Sequence, residues 1–274
     1  MLYYYANTGH QLGLERLRRG VSLLNVLSSQ GEDIQFLVND FRAGLVAREL
    51  GVSEYVTVEG VQDIDAIASY GDSIIIDSIE DDHGRLVKYC EDFKEVYRFG
   101  HSVEDKQIHS EKVLDFDTVL IDDRYFEVSE KEERVLFFLG DADYNKTILN
   151  NEAFFSALDM ELLLGNYFFV KYEDALAKLF TTLHEPEEYN ELIKSSTTVV
   201  TASGQIALEA KVSGAKVIYL ALEGRELYAQ EMLASYGIVV IDGFDIEKVQ
   251  EALKTPLCTT AKEIEKIDIK KILL

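Results

Sequence analysis

Cations, prolines and cysteines are scarce in this 274-residue sequence. Only 27 Lys+Arg stand against 50 Asp+Glu, a formal charge of −23 that repels a phosphate backbone and an anionic lipid surface alike. Nucleic acid and membrane are therefore not expected partners. Two prolines and 17 glycines exclude a low-complexity chain, and no apolar run approaches the roughly 20 residues that span a bilayer. Cys90 and Cys258 stand alone, without zinc-knuckle CxxC spacing, and the five histidines form no HxH or HxxxH pair. No metal and no cofactor are expected. The thiols read as unpaired, as in a reducing compartment, with a Cys90–Cys258 disulfide as the alternative. The start Met1-Leu2-Tyr3-Tyr4-Tyr5 lacks the basic and long apolar regions of a secretory signal, so the expected location is cytoplasmic.

What is present is core material. Hydrophobic residues make up 47% of the chain, and its length is about what two domains of ordinary size need. Apolar runs of strand length recur at residues 2–6, 34–38, 55–58, 73–77, 95–99 and 118–121, separated by segments of helical spacing at 14–27, 43–50, 63–70 and 83–91. The pattern weakens over the charged residues 102–129 and restarts at 134–140. Strands are then expected at 160–164, 181–184, 198–202, 217–222 and 238–241, and helices at 146–157, 172–178, 187–194, 204–213, 225–236 and 246–253. Alternating strands and helices mean βαβ units on parallel sheets. The expected fold is α/β, with two Rossmann-like domains, residues 1–130 and 131–274, facing a cleft into which the loops after the strands carry the chemistry.

Four of those loops have suitable residues. The first strand runs into Asn7-Thr8-Gly9-His10-Gln11-Leu12-Gly13, a glycine-bearing loop opening a helix, where free N–H groups suit a polar or anionic ligand; the alternative is an ordinary βα turn. Arg16, Arg18 and Arg19 follow, a local cationic site in an acidic protein, although Arg18 alone reads as solvated or salt-bridged. Gly140-Asp141-Ala142-Asp143-Tyr144-Asn145 opens another helix, with Asp143 and Asn145 either capping it or touching phosphates and sugar. Thr201-Ala202-Ser203-Gly204-Gln205 follows a fully apolar strand. Its small residues admit a pyrophosphate, and Glu209, less than two turns into the helix, can accept from ribose hydroxyls; the alternative is a Ser203 cap with Glu209 as a surface charge. Among the histidines His10 is notable for its loop, while His83, His101, His109 and His184 read as ordinary.

Residues 11–19, the Asp77-Ser78-Ile79 strand end, Leu139-Gly140-Asp141-Ala142-Asp143 with Asn145, and Ala202-Ser203-Gly204 with Glu209 resemble, in order, the motifs of the PseG-like sugar-nucleotide hydrolases. These are GT-B-fold relatives of the MurG-type glycosyltransferases, and the resemblance spans residues 1–245. It implies a UDP-sugar ligand, with Gly13, Arg19, Gly140, Asp143, Ser203, Gly204, Gln205 and Glu209 on the nucleotide and phosphate side and His10, Arg16 and Asp77 on the catalytic side. The family's G-x-G-H-x-x-R motif falls on Gly13, Glu15, Arg16 and Arg19, so arginine replaces the hydrolase histidine. A guanidinium does not deprotonate at working pH and cannot be a general base. His10 is the one nearby imidazole available to replace it. The family's Asp-His-Tyr reads Asp77-Ser78-Ile79 here, and its later Asn-Gln pair reads Arg225-Glu226. The resemblance leaves three functions open: an altered hydrolase, a glycosyltransferase with a UDP-sugar donor, and a non-catalytic sugar-nucleotide binder. Oligomeric state is not legible.

Overall fold

The computed structural model describes residues 1–274 except 103, 169, 226, 257–260 and 274, and the backbone alone of residue 170. Two compact units emerge. Unit 1 comprises Met1–Gly9, Arg16–Asp123 and Lys266–Leu274, and unit 2 comprises His10–Glu15 and Arg124–Glu265.

Unit 1 is built on β1 (Leu2–Ala6), β2 (Ile34–Val38), β3 (Tyr55–Thr57), β4 (Ser73–Asp77), β5 (Glu95–Phe99) and β6 (Lys112–Leu114). All pair in parallel, in the order β3-β2-β1-β4-β5-β6. The helices are α1 (Glu15–Ser29), α2 (Phe41–Glu49) and α3 (Arg85–Asp92), with a 3-10 helix at Val61–Ala66. A parallel strand covered on both faces reads as a continuous apolar run, and Leu2-Tyr3-Tyr4-Tyr5-Ala6 does so. Tyr3 and Tyr5 join Leu37, Ile64, Ile76, Leu86 and Tyr89 on one face. On the other, Tyr4 meets Phe36 and Phe99 at ring-centroid distances of 5.9 and 6.3 Å. Helix α1 approaches β1 so closely that a Cβ on Gly20 would lie 2.6 Å from Tyr4 Cε1.

Unit 2 repeats the plan with β7 (Glu132–Phe138), β8 (Glu161–Leu163), β9 (Leu183–His184), β10 (Ser196–Thr201), β11 (Lys216–Ala221) and β12 (Val239–Asp242), in the order β12-β11-β10-β7-β8-β9. Its helices are α4 (Thr147–Asn150), α5 (Glu152–Ser156), α6 (Val170–Leu176), α7 (Tyr189–Ser195), α8 (Gly204–Val212), α9 (Gln230–Ser235) and α10 (Ile246–Lys254); α11 (Ile269–Ile272) closes the chain in unit 1. Phe137, Phe155 and Phe180 form its aromatic centre, with centroid spacings of 4.9 to 5.8 Å. The expected pair of Rossmann-like sheets is thus present.

Some expected elements differ. The apolar run 118–121 is no strand: Asp115 starts a turn that accepts from Thr118 N, and Leu120 and Ile121 are buried as loop residues. The sixth strand is Lys112–Leu114, which finds an open edge at Tyr97–Phe99. The single helix expected over 146–157 divides at Asn151, whose side chain donates to Thr147 O. In place of the helix expected over 63–70 stands the 3-10 helix Val61–Ala66, and the helix expected from 225 starts only at Gln230. Arg18 is buried rather than solvated. Cys90 is a free thiol, whereas Cys258 and Glu226 lie outside the described residues. Among the described residues no helix is long and apolar enough to cross a membrane, and no cluster of three or more His, Cys, Asp or Glu could hold a metal ion.

Candidate functional site

In each unit the strand order reverses between its first and fourth strands, β1 and β4 in unit 1 and β7 and β10 in unit 2. Open parallel sheets bind ligands at the carboxyl ends of such strand pairs. The loops singled out from the sequence follow these four strands.

In unit 1, Asp77 ends β4 and Arg19 comes from α1. Arg19 Nη2 donates to Asp77 Oδ1 at 2.6 Å and Nε to Oδ2 at 2.9 Å, Tyr4 Oη donates to Oδ2 at 2.8 Å, and Arg16 Nε stands 3.5 Å from Oδ1. The Arg19 guanidinium lies 3.8 Å from the centroid of Phe99. With Asp77 1% and Arg19 2% exposed, each neutralises the other inside the sheet–helix interface. The structure thus joins Arg16, Arg19 and Asp77, but as a closed ion cluster whose carboxylate is already supplied with donors. His101 lies within reach of the Arg16 and Asp77 charges; its pKa is pulled below the usual imidazole value, first by burial and then by Arg16 and Arg98, against the raising effect of Asp105. In the sequence His101 reads as ordinary, because it stands in a charged stretch remote from any motif. The loop after β1 is tied down by Asn39, whose Oδ1 accepts from Thr8 N and Oγ1 at 2.8 and 2.9 Å.

In unit 2, Gly140 has φ +138°, a conformation that favours glycine. The loop it opens is braced by Arg225, which donates to Leu139 O at 3.2 Å and Ala142 O at 3.0 Å. Asp141 Oδ1 accepts from Asn166 at 2.8 Å. Asp143 accepts from Thr147 N at 2.6 Å, Ile148 N at 3.2 Å and Tyr172 Oη at 2.5 Å, so its carboxylate caps α4. Burial, then the hydrogen bond to Asp143, hold the Tyr172 pKa above the ordinary phenol value. His10 is exposed, its ring centroid 4.6 Å from that of Tyr167, and Gly13 takes φ +75°.

The turn into α8 has Ser203 as its N-cap, Oγ accepting from Ile206 N at 3.3 Å. Behind it runs a buried polar chain. Tyr228 Oη donates to Gln205 Oε1 at 2.7 Å, Gln205 Nε2 to Glu209 Oε1 at 2.9 Å, and Tyr189 Oη to Glu209 Oε2 at 2.5 Å. Glu209 is not a surface charge: it is 1% exposed, and both its oxygens are engaged. A Cβ on Gly204 would lie 2.9 Å from Tyr228 Cδ2, so the missing side chain accommodates that ring. Tyr228 carries no signal in the sequence, because it works through a contact with a distant segment, whereas Arg225 stands at the position of the family's Asn-Gln pair.

No family model matches the chain, and no curated protein matches it in sequence. Solved structures match over nearly its whole length. The Methanocaldococcus jannaschii UDP-GlcNAc 2-epimerase, in complex with UDP-GlcNAc and UDP, has a TM-score of 0.57 and 11% identity, covering 93% of this chain and 92% of its own. A glycosyltransferase from Rickettsia africae ESF-5 gives 0.56 and 9%, with coverages of 92% and 87%. AviGT4, a glycosyltransferase involved in avilamycin A biosynthesis, gives 0.52 and 14%, with coverages of 94% and 90%. At these identities the likeness establishes the fold: the chain is a GT-B-type α/β protein with two Rossmann-like units.

Proposed function

We propose that this protein binds a nucleotide-sugar, a UDP-sugar, with the nucleotide held by unit 2, and serves surface-glycan or nonulosonic acid biosynthesis. The observation that carries the reading is the position of α8. This nine-residue helix starts directly after β10, at the strand-order reversal of its sheet, with small residues at its amino end where the helix dipole favours a diphosphate. The titles of the structures named above, two glycosyltransferases and an epimerase holding UDP-GlcNAc, support the same ligand class.

Within that reading, a PseG-like hydrolase altered at Arg16 does not hydrolyse the family's own UDP-trideoxysugar. Arg16 cannot accept a proton, and Asp77 already holds Arg19 and Tyr4. Hydrolysis then requires His10 as surrogate base, and transfer to an acceptor hydroxyl, with a UDP-sugar as donor, is the alternative chemistry. A non-catalytic sugar-nucleotide-binding partner is the second reading, favoured by the internal use of Asp77.

Incubation with UDP-, GDP- and CMP-sugars, read by thermal shift and by nucleoside diphosphate release, separates binder from enzyme. Glu209→Ala, which removes the acceptor of Gln205 and Tyr189 behind the α8 turn, is expected to weaken UDP binding only through that turn, by about 1 kcal/mol. Gly204→Val, which adds bulk at the amino end of α8, is expected to abolish UDP binding, and an unchanged UDP affinity in a folded Gly204→Val protein refutes the nucleotide assignment. Glu15→Gly with Arg16→His restores the hydrolase motif and is expected to gain partial hydrolysis, since a general base contributes about 10²–10⁴-fold.

A further inference from the structure

We infer that unit 1 holds, at the carboxyl end of β1, a subsite for a sugar group that brings hydroxyl or amine donors and carries no negative charge. The inference rests on the nucleotide-sugar reading only for what kind of molecule presents that group.

Tyr5 and Asn7 are two residues apart and project to the face opposite Tyr4. Three donors meet there on one oxygen: Glu80 Oε2 accepts from Tyr5 Oη at 2.5 Å, Ser78 Oγ at 2.9 Å and Val61 N at 3.3 Å. Burial and the bond to Glu80 push the pKa of the Tyr5 hydroxyl up. Asn7 is 4% exposed, yet its Oδ1 has no hydrogen-bond partner, and on the 3-10 helix beside it Asp63 Oδ2 is likewise buried without one. Val61, two residues before Asp63 on that helix, donates to the same Glu80 oxygen that accepts from Tyr5, which ties the 3-10 helix to the Tyr5 hydroxyl.

Buried acceptors are nearly always satisfied in native proteins, and an unpaired one is costly until a donor arrives. Here two orphan oxygens from different segments stand beside the half-buried Glu80. The neighbouring cations do not answer them: Arg85 and Lys88 both pair with Asp65, at 3.2 and 2.5 Å. Two carboxylates and an amide oxygen repel a carboxylate or phosphate and suit vicinal hydroxyls or an ammonium. The arginines that might have drawn an acidic sugar into unit 1 face Asp77 on the other side of the sheet. An amino or neutral sugar therefore fits this edge, and an acidic sugar does not.

Saturation-transfer NMR on the full chain with glucosamine, glucose and glucuronate, each alone, tests the assignment, with UDP titrated separately. Glucosamine and glucose are expected to bind and glucuronate not to. Asn7→Leu should weaken both sugars about tenfold, the loss of one good hydrogen bond. Asp63→Asn, which keeps the shape, should remove the preference for glucosamine over glucose while glucose still binds. Binding of glucuronate as strongly as glucosamine, absence of any sugar signal, or sugar affinity unchanged in a folded Asn7→Leu protein overturns the subsite. If UDP binds and no sugar does, this inference falls alone. If the sugars bind and UDP does not, the nucleotide reading falls and the subsite stands.

Discussion

Removing the Asp77 carboxylate tests whether it is a counter-charge or a reacting group. In Asp77→Ala the Arg19 guanidinium, 2% exposed, loses both of its bonds to that side chain, and the Tyr4 hydroxyl loses its acceptor. Breaking a buried pair from one side costs about 3–5 kcal/mol, because the remaining charge stays desolvated. For a unit of this size that corresponds to a fall of about 10–20 °C in melting temperature. The stacking of Arg19 on Phe99 at 3.8 Å gives the stranded guanidinium little room to reach water. Replacing both partners, Arg19→Met with Asp77→Leu, should restore stability to within about 2 kcal/mol of the parent, since a well-packed apolar pair substitutes for a buried ion pair. Because two units need not unfold together, the informative measurement is amide hydrogen exchange of the β1 and β4 residues, with bulk urea unfolding as a companion. A carboxylate kept for chemistry behaves oppositely, its removal leaving stability unchanged or improved. If Asp77→Ala protects β1 and β4 amides to within about 1 kcal/mol of the parent, the counter-charge account is wrong.

Three further outcomes are expected. Gly165→Ala should lower stability by about 1–3 kcal/mol and weaken UDP binding together, because its Cβ would sit 2.6 Å from the carbonyl oxygens of Gly140 and Asp141; calorimetric melting and UDP titration on one sample check both. Gly204→Ala should be destabilising in the parent and less so beside Tyr228→Leu, a coupling that a double-mutant cycle reads directly. Arg98, bound through two hydrogen bonds, holds the Asp105 carboxyl down at about 2 from the ordinary 3.8. A depressed folded-state pKa stabilises above the unfolded value, so this contribution is complete above about pH 4 and is lost as pH falls through about 2. Amide exchange at His101, which donates to Asp105 at 3.0 Å, should speed up across that window and not above it.

The sheets were readable because each core strand is a run of apolar residues bounded by turn formers, as at Tyr3-Tyr4-Tyr5 and Val199-Val200. The sequence also marked the glycine-bearing loops that follow the four strands at the two order reversals. Partners were not readable. Arg19 and Asp77 are 58 positions apart, and Tyr228 and Gln205 are 23 apart; nothing in periodicity announces either meeting. The same blindness made residues 118–121 read as a strand: hydrophobicity reports burial, whereas a strand also needs a free edge, and Lys112–Leu114 had taken it.

The composition of the two units bears on how this chain can be made and cut. Tyr97 in β5 donates its hydroxyl to Leu273 O at 2.8 Å, and Lys266 pairs with Asp123 at 3.4 Å, so unit 1 is completed by residues that follow unit 2 in the chain. Unit 2, by contrast, draws on residues 10–15, which precede most of unit 1 in the chain. Synthesis from the amino end therefore finishes the second unit before the first, reversing the usual order of domain maturation. A single cut between the sheets yields no pair of whole domains. Each fragment lacks a segment supplied by the other, and the unit 1 fragment is expected to recover its β5 anchoring only when residues 266–274 are added back.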